Sequence, residues 1–323
     1  MSLPGKPGIL VVMPTWMGDC VMATPAIRAI QAASPASDLA LAMQRAFWPL
    51  FEGSGLTTVE PLPSSLSSAW RQRRRLDGTD VLLLPNSAGS ALRARLTWPG
   101  AHLVGRSSMG RTGLLHVPVS KNHRLGSVST VQLYAALVGT WLGTTMDDLQ
   151  VRLHATQADH AAAEGVLARH GMDTSCIVVL NPGASKPSKR WPPDRFVAVG
   201  RRLAQHGALV CVSGSPAEQE LCGSIAADIP RSLDLAGAGA GLRALKGILV
   251  RSRLLVTNDT GTRHVAAALG CPYVCIYGPV DPVVSRLERV RGTDLVPRDG
   301  SCRSISIDSV VSAAEAWMPR ALT

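Results

Sequence analysis

The stretch Gly8-Ile-Leu-Val-Val-Met-Pro-Thr-Trp-Met-Gly-Asp-Cys-Val-Met-Ala-Thr-Pro-Ala-Ile-Arg-Ala-Ile30 changes period within one turn. Its first six residues are continuously apolar and rich in β-branched side chains, as suits a central parallel strand covered on both faces. After the turn Val21, Ala26, Ile27 and Ile30 recur at helical spacing, predicting a helix over about 20–33. Pro25 is tolerated there because a first helical turn has no use for its missing N–H. Strand, tight turn and helix in this order are the start of a parallel α/β sheet. Asp19 stands at the joint. As an N-cap its carboxylate accepts orphan helix N–H groups and stays ionised. As a catalytic group it sits where open α/β sheets bind ligands, at the carboxyl end of a strand.

Moving outward, the chain has 323 residues, enough for two ordinary domains, since one core rarely grows beyond ~250–300 residues. With 46% hydrophobic and 17% charged residues it has the composition of a globular protein with a sizeable core. No run approaches the ~18 apolar residues of a spanning helix. The N-terminal residues carry no apolar segment distinct from the first strand, so no signal peptide is expected. Seven scattered cysteines point to a reducing, cytoplasmic setting rather than a disulfide framework. Cys271 and Cys275 lie in or beside an apolar strand-like run, with no second pair or histidine cluster to complete a zinc site. Neither a metal nor a cofactor is expected.

The net charge of +10 is uneven. From Arg71 to Arg124 ten Lys/Arg face two acids, Asp77 and Asp80, which favours an anionic partner. Nucleic acid is a poor fit: three Tyr and three Phe do not make stacking platforms, and no DNA- or RNA-binding motif is present.

Strand-like runs alternate with helical patterns along most of the chain, which implies parallel sheets with crossover helices. In the first half strands are expected near 8–13, 38–43, 80–84 and 102–105. Helices are expected there near 20–33, 45–53, 64–76, 88–96 and 128–142. In the second half strands fall near 176–180, 208–213, 233–235, 253–257 and 273–277, and helices near 192–206, 217–227, 241–251 and 262–269. A helix from Asp159, closed by Gly171, joins the halves. The expected architecture is two Rossmann-like domains facing a cleft, residues 1–150 and 151–323, with the last helix (about 307–318) returning to pack on the first.

The strand ends of the second half carry the chemistry. Asn181-Pro-Gly-Ala-Ser-Lys-Pro-Ser-Lys-Arg-Trp191 follows a strand directly and suits a phosphate: small residues admit it, while Lys186, Lys189 and Arg190 neutralise it. In Asn258-Asp-Thr-Gly-Thr-Arg-His264 a strand ends and a helix begins, so helix N–H groups with the Thr260 and Thr262 hydroxyls form a diphosphate cradle. His264 faces the same anion or simply packs. An aspartic-protease assignment of Asp259-Thr-Gly261 fails, because that chemistry needs a second such aspartate in a β-rich fold. Gly237-Ala-Gly-Ala-Gly241 imitates a dinucleotide fingerprint, but its third glycine comes one residue early. Glu218 and Glu220 are candidates for a ribose hydrogen bond, or ordinary acids at a helix start.

Together these motifs resemble the ADP-heptose–lipopolysaccharide heptosyltransferases, the second type more than the first. The resemblance spans nearly the whole chain and rests on Pro14-Thr-Trp-Met-Gly-Asp19, Leu84-Pro-Asn-Ser87, Asn181-Pro-Gly183 with Lys189-Arg-Trp-Pro192, Asn258-Asp-Thr-Gly261 with His264-Val-Ala-Ala-Ala268, and Tyr277-Gly-Pro279. It implies a GT-B fold with an acceptor-binding first domain and an ADP-sugar-binding second domain. It also implies inverting transfer of heptose to the inner core of lipopolysaccharide. By that resemblance Asp19 is the general base, Lys189, Asp259, Thr260, Gly261 and His264 bind the donor, and Glu218 or Glu220 meets the ribose. Arg106 and Arg111, just past a strand end, are candidates for the anionic acceptor, and other arginines for peripheral contact with the inner membrane surface. Two other readings stay open: a related transferase using another nucleotide sugar, and an idle protein holding an anionic glycolipid.

Overall fold

The computed structural model describes residues 7–34, 38–108, 110–120, 126–169 and 175–318. The apolar run after Gly8 forms β1 (Ile9–Val12), every residue of it buried. Two helices follow where the sequence predicts one, α1 (Met17–Met22) and α2 (Thr24–Ala33). Pro25 causes the break: it has no N–H for the Val21 carbonyl, and the Thr24 hydroxyl donates to that oxygen instead at 2.8 Å.

The rest of the first unit is β2 (Leu39–Ala42), β3 (Thr57–Val59), α3 (Leu66–Arg71), β4 (Asp80–Leu83), α4 (Ala88–Thr97), β5 (His102–Arg106), β6 (Val117–Val119) and α5 (Thr130–Leu142). The expected helix at 45–53 is a 3₁₀ segment, Arg45–Leu50, interrupted by Pro49. The expected helix at 64–76 stops at Arg71, because the N–H groups of Arg74 and Leu76 turn to the carbonyls of Thr97 and Pro99.

The second unit holds α6 (Gln157–Ala168), β7 (Ile177–Asn181), α7 (Pro193–Gln205), β8 (Leu209–Val212), α8 (Gln219–Ala227), β9 (Ser232–Asp234), α9 (Leu242–Arg251) and β10 (Ser252–Asn258). It continues with α10 (Gly261–Ala268), β11 (Tyr273–Ile276), the short α11 (Pro282–Ser285), β12 (Gly292–Leu295) and α12 (Ile307–Glu315). The chain divides into Met1–Val151 with Val283–Glu288, and Arg152–Pro282 with Arg289–Thr323. The expected Gly171 cap, Lys121 and Arg124 lie outside the described residues.

Each unit is built on a six-stranded sheet, ordered β3-β2-β1-β4-β5-β6 in the first and β12-β11-β10-β7-β8-β9 in the second. Every pairing is parallel. Numbered within its own unit, the second order is the first read backwards, so both are doubly wound with their direction reversing beside the opening strand. The reversal lies between β1 and β4 in one unit and between β7 and β10 in the other, and there a crevice opens past the carboxyl ends of the strands.

Core side chains fix both sheets. Leu10, Val12, Val81, Leu83 and Leu103 pack with Ala91 and Ala94 of α4 and with Trp98 at its C-cap. In the second unit Val178, Leu180, Val210, Val256 and Val274 pack with Phe196, Val199 and Leu203 of α7. The last helix packs in this second core: Val310 and Ala314 are fully buried in the cluster that contains Trp191 and Phe196.

Candidate active site

In the first unit the switch point is occupied by the turn after β1. Cys20 Sγ donates to the Pro14 carbonyl at 3.2 Å, and Cys20 N bonds the Trp16 carbonyl at 3.0 Å, so the turn closes on itself. Asp19 is not the N-cap that the sequence suggests. The cap position of α1 is Trp16, with no side-chain cap bond, and Asp19 is the third helical residue. Its carboxylate is half-buried and makes no hydrogen bond among the described residues. Burial therefore raises its pKa above the ordinary carboxylate value, where a capping role would have lowered it. Tyr134 of α5 lies within electrostatic reach: burial first, then the Asp19 charge, pushes its phenol well up. Sequence reasoning missed Tyr134, whose position on a largely apolar helix carries no local signal.

Arg106 closes β5 and is buried. Arg111, the other candidate for the anionic acceptor, turns inward. It is fully buried, with guanidinium nitrogens donating to the carbonyls of Pro85 and Leu83 at the end of β4. Gly105 makes room for it, since a Cβ there would meet Arg111 Nη2 at 2.6 Å. Burial lowers the Arg111 pKa to about 10. It braces the segment Leu84-Pro-Asn-Ser87 from inside.

In the second unit the loops after β7 and β10 flank the switch point, and Asn258 ties them together. Its Nδ2 donates to the carbonyls of Pro182 (2.7 Å) and Gly183 (3.1 Å), while Oδ1 accepts from Trp191 N at 3.1 Å. Asn181 mirrors it: Nδ2 donates to the Ser213 carbonyl at 2.7 Å, and Oδ1 accepts from the Thr260 hydroxyl at 3.0 Å. These two asparagines hold the loops at full burial without exposing a polar atom to an apolar surround.

On this frame Lys189 Nζ meets Asp259 Oδ2 at 2.9 Å. Thr260 is the N-cap of α10 but forms no side-chain cap bond, so the first-turn N–H groups, beginning at Gly261, are not capped by it. His264, in the same turn, is buried and its Nδ1 has no hydrogen-bond partner among the described residues. Burial first, then the charges of Arg263 and Lys189, holds its pKa well below the ordinary value. It is a neutral imidazole, able to hydrogen-bond but not to supply charge.

Glu218 and Glu220 separate clearly. Glu218 accepts from Ser215 N at 2.9 Å and its carboxyl lies against Gly183, where any Cβ would collide with it. Glu220 is exposed on α8 and is not brought to the loops. Arg263, which the sequence reading passed over, is fully buried between the rings of Tyr273 and Tyr277 and reaches Asp259 at 3.7 Å and Asp294 at 3.9 Å. Its spacing of four from Asp259 on a helix start was the available signal. Gly237–Gly241 is a turn and loop before α9, not a cofactor fingerprint.

The family model of glycosyltransferase family 9 (heptosyltransferase) matches residues 69–295. The chain belongs to glycosyltransferase family 9. The lipopolysaccharide heptosyltransferase 2 of Escherichia coli strain K12 is 26% identical over 292 residues, covering 85% of this chain and 83% of its own. The crystal structure of a family 9 glycosyl transferase from Veillonella parvula superposes with a TM-score of 0.79 at 20% identity, covering 98% of each chain. The structure of the Escherichia coli ADP-heptose lipopolysaccharide heptosyltransferase II superposes with a TM-score of 0.75 at 24% identity, covering 96% of this chain and 98% of its own. The GT-B fold and glycosyltransferase assignment expected from the motifs of this family 9 chain therefore stand.

Proposed function

We propose that this family 9 chain transfers heptose from ADP-heptose to a core sugar of lipopolysaccharide with inversion at the anomeric carbon. The observation that carries the donor assignment is the end of β10, where the first-turn N–H groups of α10, without a side-chain cap from Thr260, lie beside Lys189, Thr260 and the orphaned His264 Nδ1. Helix N–H groups and a lysine suit a diphosphate, and a neutral imidazole adds a hydrogen bond without a competing charge. Glu218, not Glu220, is the ribose partner, being the one placed against the β7 loop.

In the reaction Asp19 accepts the proton of the acceptor hydroxyl as that oxygen bonds the anomeric carbon. The bond from that carbon to the diphosphate breaks, and ADP leaves with the electron pair. Lys189 and the α10 N–H groups oppose the charge that develops on it. A carboxylate whose pKa burial has raised is a stronger base than a capped one. Arg106 meets anionic groups of the acceptor, and Arg111 serves it indirectly by bracing Leu84–Ser87. Such substrates place the chain in the cytoplasm, with access to the inner face of a membrane.

Mass spectrometry of products after incubation with a panel of nucleotide sugars and core acceptors tests this. Heptosylated acceptor from ADP-heptose alone is expected. Preferred use of another nucleotide sugar reassigns the donor, and tight acceptor binding without turnover identifies an idle glycolipid-binding protein.

A further inference from the structure

Apart from the two switch points, the first unit carries a surface that the transfer chemistry does not use. Helix α3 exposes Leu66 (49%) and Trp70 (59%), four residues apart and so on one face of the helix. Scattered exposed apolar residues need no explanation, but these are followed at once by Arg71, Arg73, Arg74 and Arg75, all exposed. Asp77 is the one acid between 64 and 78, and it pairs with Arg75 at 2.6 Å, so the segment keeps a net charge of +3.

The surface is held in place. Ser65 and Ser68 form a reciprocal capping box at the start of α3, and Ala69 beside them is completely buried. Arg74 N and Leu76 N bond the carbonyls of Thr97 and Pro99 at 2.8 and 3.1 Å, fixing the backbone that presents the guanidiniums. Arg73 stacks over the Trp70 ring, 4.8 Å from its centroid. An indole and a leucine beside clustered arginines match the layering of a bilayer surface, where aromatic rings sit at headgroup level and cations meet lipid phosphates.

We propose that α3 and residues 71–75 form a docking surface for an anionic phospholipid bilayer. It rests on the functional reading only in that a lipid-anchored acceptor gives docking a purpose. Co-sedimentation of the full chain with vesicles tests it without donor or acceptor, so failure of the heptosyl assignment leaves the result unaffected. Vesicles of phosphatidylcholine with roughly one-third phosphatidylglycerol should pellet the protein, and pure phosphatidylcholine should not. The variant Arg71→Gln/Arg73→Gln/Arg74→Gln should lose on the order of 100-fold in partitioning, at about fivefold per cation. Leu66→Ser/Trp70→Ser should weaken binding by roughly tenfold at unchanged thermal stability, since both side chains are exposed. Wild-type protein that ignores anionic vesicles, a triple variant that binds like wild type, or capture of an RNA oligonucleotide in preference to the vesicles would each overturn the proposal.

Discussion

Replacing Lys189 with methionine removes the ammonium from the mouth of the α10 helix while keeping most of the stem. If Lys189 opposes the donor diphosphate, the loss is that of a charge-assisted hydrogen bond, about 1.5–3 kcal/mol, so ADP should bind roughly 10- to 150-fold more weakly. The structure argues for the upper part of that range. Lys189 also meets Asp259 at 2.9 Å, and Asp259 is only 8% exposed. Without the ammonium that carboxylate keeps Arg263 at 3.7 Å, yet turns an unscreened negative charge toward the same anion. The second change, Asp259→Asn, should therefore recover part of the loss in the double variant. Calorimetric titration of the full chain with ADP reads both effects, with melting temperature as the control for folding. ADP affinity unchanged in Lys189→Met would refute the donor assignment. A double variant weaker than the single one would refute the charge account of the pair.

Asp19→Asn should reduce turnover by about 10²–10⁴-fold while ADP affinity holds, and wild-type turnover in that variant would remove Asp19 from the chemistry. Because burial raises the Asp19 pKa, activity should fall as pH drops through that raised value, and the acid limb should vanish in the variant. Lys246→Met strands the fully buried Asp159, which Lys246 meets at 2.8 Å, and should cost about 3–5 kcal/mol in denaturant unfolding. Burial alone would raise the Asp159 pKa, but Lys246 and the Thr156 N–H and hydroxyl outweigh it and hold it below its ordinary value. Its stabilisation is thus present above the unfolded carboxylate pKa and lost as pH falls through the lower folded one, and wild-type stability should show that acid loss more steeply than Lys246→Met. Arg106→Gln should raise the acceptor KM and leave ADP binding alone; a loss of ADP affinity instead would place Arg106 in the donor's half of the chemistry.

The periodicity of the sequence revealed the sheets wherever strands are central, because a strand buried on both faces must be apolar at every position, as Ile9–Val12 and Ile177–Leu180 are. It missed Thr57–Val59, Val117–Val119 and Gly292–Leu295, which lie at or next to a sheet edge, are three or four residues long and are largely half-exposed, so neither period has room to register. The position of the proposed donor cradle was legible because the elements that form it are local: a strand end, a turn and a helix start within seven residues fix where Asp259, Thr260, Gly261 and His264 lie. What escaped is non-local. Asn258 acts on Pro182, Gly183 and Trp191, about seventy residues away in sequence, and nothing in its neighbours announces those partners. The same holds for Arg111, which looks like a solvated cation after a strand but turns inward because Gly105 leaves space and β4 ends in carbonyls that need donors. Asp19 combines both lessons. Its place after β1 could be inferred from the chain, whereas its electrostatic state depends on partial burial in a fold that brings Tyr134 of α5, more than a hundred residues later, within reach of it, and that burial raises its pKa.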